Sequence, residues 1–116
     1  MENKCALKEP EGYFIDLNLD IQGFSSYVGC EQYFILRQEM NKFYLYLNRS
    51  EFGGTWQDQI HNLYISLYHL ENIEKALFST ELSEGLMHQT KIVDKLQLLK
   101  IAIMDTIKEI ETDFHE

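Results

Sequence analysis

Residues 30–50 read CEQYFILRQEMNKFYLYLNRS, and the secondary structure of this one stretch decides the fold of the chain. As a helix it places Tyr33, Leu36, Met40, Phe43 and Leu47 on a heptad-like seam. As a β-hairpin it forms two strands, 32–37 and 42–48, joined by the polar run Gln38, Glu39, Met40, Asn41. Both readings use the same apolar residues. What separates them is the rest: a helix leaves Phe34, Ile35, Tyr44 and Tyr46 off its seam, whereas YFIL and FYLYL have the aromatic and branched composition of strands. Composition therefore predicts the hairpin, with the helix as the alternative.

Upstream, Tyr13, Ile15, Leu17, Leu19 and Ile21 alternate with Phe14, Asp16, Asn18 and Asp20, the period of a strand with one wet face. The turn-rich segment 22–30 reads as a loop, and residues 1–12 as an irregular lead-in with a short edge strand at 5–7. Downstream the pattern changes to helical. Thr55, behind Gly53 and Gly54 and three residues before Asp58, makes a capping box. Trp56, Ile60, Leu63, Leu67, Leu70 and Leu77 then fall on one stripe through Phe78. A second helix starting near Ser79 and Thr80 carries Leu86, Val93, Leu96, Leu99, Ile103, Ile107, Ile110 and Phe114. The short link makes the two antiparallel. Glu74 lies on the first stripe, where either a lysine of the second helix such as Lys91 or Lys95 pairs with it or the helices splay and leave it wet.

The expected fold is thus α+β in a single domain, 1–116, with a lead-in at 1–12. A β-meander of about three antiparallel strands spans 13–50 and packs on an αα-hairpin over 55–116. If 30–50 is helical, the fold becomes an all-α three-helix bundle with a short N-terminal strand.

A chain of 116 residues with 45% hydrophobic and 13% aromatic content and one proline folds without needing disulfides or metal. Its formal charge of −9, from 19 acidic against 10 basic residues, argues against direct nucleic-acid binding, which rests on clustered Lys and Arg. The same charge suits a protein partner with a basic surface. No apolar run is long enough for a bilayer span, so no membrane role and a cytoplasmic address are expected. In that compartment Cys5 and Cys30 are expected as free thiols.

No catalytic motif is present. His61 and His69 are eight residues apart, about 80° around the helix and more than two turns along it, which is poor geometry for one metal ion, and both are expected to face solvent. There is no HExxH, CxxC, EF-hand loop or GxSxG. No enzyme activity, metal or cofactor is expected. The surface that stands out is the outer face of the meander, where Phe14, Asp16, Asp20, Tyr33, Arg37, Tyr44 and Tyr46 combine aromatic, arginine and acidic side chains, the mixture enriched at protein interfaces. These seven are the expected partner-binding residues. The function expected from them is that of a small acidic inhibitor or antidote, immunity-like, masking a basic surface of a partner protein. The alternative is a self-associating structural subunit, a homodimer in its simplest form, and a small-ligand binder or enzyme ranks behind both.

Overall fold

Residues 10–52, 54–78 and 86–114 are described by a computed structural model of the chain. They form helix α1 (Pro10–Phe24), a 3-10 turn over Ser25–Tyr27, and helices α2 (Cys30–Phe52), α3 (Trp56–Phe78) and α4 (Leu86–Phe114). Among the described residues there is no strand. The expected α+β meander is therefore overturned, and the helical alternative stands in its place. Even that alternative is corrected at its N-terminal strand, because 13–21 lies within α1. The edge strand expected at 5–7 and the thiol of Cys5 lie outside the described residues.

The reason is visible in what each helix buries. Leu36, Met40, Phe43 and Leu47 of α2 are all buried, while Phe34 at 62% exposure and Ile35 at 41% are left in solvent. Burying one full heptad seam outweighs the β-propensity of the side chains left off it. In α1 the alternating pattern conceals a helical one: Leu17, Ile21 and Phe24, at steps of four and three, are buried, and Leu19 points outward. The alternation ends before Phe24, the residue that distinguishes the two periods.

The α2–α3 link is built as the sequence implies. The Asp58 amide donates to Thr55 Oγ1 at 3.2 Å and the Thr55 amide donates to the Asp58 carboxylate at 3.3 Å. Before this cap, Gly54 adopts φ +48, and a Cβ there would stand 2.6 Å from Asp58 Oδ2, so the left-handed turn and the cap both require glycine.

Side-chain bonds fix the order of the helices. Gln32 Nε2 donates to the Ala76 carbonyl and Glu39 meets His69, which sets α2 antiparallel to α3. Gln89 Nε2 donates to the Leu77 carbonyl and Lys100 meets Glu74, which sets α3 antiparallel to α4. Lys91 with Asp20 and Lys95 with Asp16 and Asp20 lay α4 antiparallel to α1. The result is an up-down-up-down four-helix bundle of 51 × 21 × 20 Å. Its axis is filled by leucine and isoleucine from all four helices with Phe24, Met40 and Phe43. Buried hydroxyls are satisfied within their own helices: Ser50 and Ser66 donate to carbonyls three residues back, and Thr106 to one four back.

Candidate interaction surface

Of the seven residues expected to form one partner face, Asp16 and Asp20 stand at the α1–α4 boundary, Tyr46 at the α2–α3 boundary, and Tyr33, Arg37 and Tyr44 along α2. Asp16 and Asp20, one turn apart on α1, face α4. Lys95 Nζ stands 2.5 Å from Asp20 Oδ2 and 3.4 Å from Asp16 Oδ2, and Lys91 Nζ stands 3.8 Å from Asp20 Oδ1. The hydrogen bond from Lys95 to Asp20 is the main cause holding the lysine pKa above its ordinary 10.5, against the opposing effect of partial burial. Phe14 belongs to α1, with its side chain outside the description. Tyr33, Arg37 and Tyr44 are half-buried on α2, and Tyr33 packs against the core. Arg37 Nη1 is enclosed with no hydrogen-bond partner. Tyr46 lies at the α2–α3 boundary, its ring stacked on His69 at 5.8 Å and capped by the Arg49 guanidinium at 5.2 Å. Asp20 and Tyr46 are thus engaged at helix–helix boundaries, while the Asp16 side chain is 69% exposed.

His69 is the functional-looking residue that the sequence misplaces. It is buried rather than solvent-facing, with Nδ1 at 2.5 Å from Glu39 Oε2 across the α2–α3 boundary. Asn72 Nδ2 donates to the same carboxylate oxygen at 3.4 Å, and Tyr68 meets the imidazole edge-on at 5.2 Å. The signal for this lies in Ser66, His69, Ile73 and Ala76, a second buried row beside the leucine stripe. Small Ser66 and Ala76 on that row mark where α2 approaches. The carboxylate on Nδ1 orients the imidazole, and with Asn72 on the same oxygen the contact ties α2 to α3. Among the described residues no group of three His, Cys, Asp or Glu is arranged to hold a metal ion. Cys30 is an exposed free thiol at the start of α2.

Among the large apolar side chains that stand in solvent, Leu19, Phe34, Ile35 and Leu45 belong to α1 and α2, and six more belong to the last two helices. Tyr64, Tyr68 and Phe78 of α3 are 49%, 59% and 63% exposed, and Leu98, Ile101 and Met104 of α4 also stand out. Gln97 and Lys100 both reach Glu74, which identifies the edge that α4 turns toward α3. Ile101 and Met104 follow these two residues at helical spacing and share that edge. Glu74, on the inner stripe, is therefore paired with a lysine of the second helix, the first of the two expectations, but with Lys100 rather than Lys91 or Lys95. Beside this pair lies an open groove of about 460 Å³ lined by Glu71, Glu74, Lys75, Phe78 and Lys100. A smaller groove of about 170 Å³ runs between α1 and α4, lined by Asp16, Leu17, Lys95, Leu98 and Leu99.

The fold and this surface define an acidic up-and-down helical bundle with an exposed aromatic edge. Comparison of the chain with protein-family models, with curated proteins and with solved structures returns no match. No helix among the described residues is long and apolar enough to cross a membrane.

Proposed function

We propose that the protein is a non-enzymatic structural subunit that works by associating with itself through the shared outer edge of α3 and α4. One observation carries this reading. Tyr64, Tyr68 and Phe78 with Ile101 and Met104 stand exposed over a core already closed by Leu63, Leu70, Leu77, Leu96 and Ile103 beneath them. Exposed apolar groups gathered on one face, and not needed by the core, characterise a surface that another protein covers. The acidic-inhibitor reading is weaker because Asp20, one of its two principal acids, is shielded and held by Lys95 and Lys91. A cytosolic address suits this reading, since a reducing compartment keeps the exposed Cys30 as a thiol.

Light scattering coupled to size separation, across a concentration series, tests the proposal. Self-association predicts a mass that rises from the 13.8 kDa of one chain toward twice that value. A mass fixed at one chain throughout, with salt-sensitive capture of basic proteins instead, would return the inhibitor reading to first place.

A further inference from the structure

The exposed side of α3 has an order that its composition alone does not explain. Tyr64, Tyr68, Glu71, Lys75 and Phe78 recur at steps of four, three, four and three, and all five are exposed. That is the spacing of a coiled-coil seam, yet no helix among the described residues covers it. The seam is also nearly palindromic about Ile73. Glu71 and Lys75 lie two residues to either side and carry opposite charges; Tyr68 and Phe78 lie five residues to either side and are both aromatic. Ile73 itself is turned inward and fully buried.

We infer that α3 is the contact helix of a two-fold homodimer, packing antiparallel against α3 of a second copy with the axis passing at the level of Ile73. This rests on the self-association reading above and specifies its geometry. Two-fold symmetry requires that residue i meet residue j and that j meet i. Antiparallel packing about Ile73 satisfies this at both levels of the seam: Glu71 meets the second copy's lysine at position 75, and Tyr68 meets its phenylalanine at position 78, each pair formed twice. Parallel packing would instead set Glu71 on Glu71 and Lys75 on Lys75. Charge also favours a second copy over an unrelated partner. The chain carries −9 overall, but the groove beside the seam is lined by Glu71 and Glu74 against Lys75 and Lys100, a balanced set of charges that does not set two copies against each other. Neither Glu71 nor Lys75 is in an ion pair among the described residues, so both are available to the second copy.

Charge reversal tests the pairing. Glu71→Lys and Lys75→Glu are made singly and together, and dimerisation is measured by sedimentation while helical content is followed by circular dichroism. Each single change sets like charges against each other twice and is expected to weaken the dimer roughly tenfold or more. The double variant E71K/K75E restores opposite charges across the axis and is expected to regain most of the wild-type affinity. Phe78→Ala, at an exposed position, is expected to lower affinity roughly tenfold without loss of helix. A wild-type dimer indifferent to all these changes would overturn the α3 geometry and leave self-association standing. A double variant no tighter than the singles would overturn the antiparallel pairing. Wild-type protein that is monomeric at every concentration would overturn self-association itself.

Discussion

Glu39 and His69 show how much a single pair contributes to holding two helices in register. The two side chains are 16% and 10% exposed, and each is the polar partner the other has at the α2–α3 boundary, with Asn72 as a weaker third. Removing either leaves a shielded polar group short of a partner, which costs about 1–3 kcal/mol. Removing both costs less than the sum. Urea unfolding of Glu39→Ala, His69→Ala and the double variant is expected to give a coupling of about 0.5–3 kcal/mol, whereas additive losses would mean the contact is incidental. Lys95 acts at the α1–α4 boundary in the same manner, and its effect depends on pH. Its pKa is raised in the folded state, chiefly by the hydrogen bond to Asp20, so folding binds its proton more tightly than the unfolded chain does. The stabilisation is complete below the ordinary lysine value and is lost as pH climbs through the raised one. Thermal unfolding in alkaline buffers is expected to show this loss in the wild type and much less of it in Asp20→Asn; equal losses would assign the alkaline instability to other groups.

At the scale of the element, α2 shows what sequence periodicity reveals and what it leaves ambiguous. Its seam of Leu36, Met40, Phe43 and Leu47 was legible, but the same residues serve a hairpin, and the tie was broken by counting aromatic and branched side chains. The bundle resolves it differently. Tyr46 finds a place against His69, and Phe34 and Leu45 are simply left in solvent, which costs the bundle none of its core. Helix α1 has the sequence signature of a strand because its apolar positions satisfy period two up to Ile21, and the i, i+4 pair Asp16 and Asp20 has no evident purpose until α4 brings Lys95 to both. The helices α3 and α4 were legible because each repeats its apolar spacing over many turns. A proline at Gln38 separates the two readings of α2 by experiment. Gln38 is exposed and lies in mid-helix, where proline costs about 3 kcal/mol or more, whereas in the loop of a hairpin it is tolerated. Gln38→Pro is expected to lose stability on this scale in chemical denaturation, and an unchanged midpoint would favour the hairpin.

At the scale of the whole molecule, four amphipathic helices close one core and leave an aromatic, heptad-spaced row on α3 outside it. The antiparallel pair of α3 and α4 follows from patterns within each segment, so it could be read along the chain. The partner face could not, because it depends on which residues the other helices cover. Asp20 and Tyr46 look available until α4 and α3 engage them, while Tyr64, Tyr68 and Phe78 lie on a helix that supplies none of the seven expected partner residues. Antiparallel association about Ile73 has a definite geometric signature. With both cysteines replaced by serine, a spin label is placed at Gln57 or at His61, both exposed, and the distance between labels on the two copies is measured by pulsed electron resonance. Moving away from the axis adds 1.5 Å per residue on each copy, so the axial separations are expected near 48 Å for position 57 and near 36 Å for position 61. Equal distances at the two positions, or no distance between copies at all, would contradict the dimer described here.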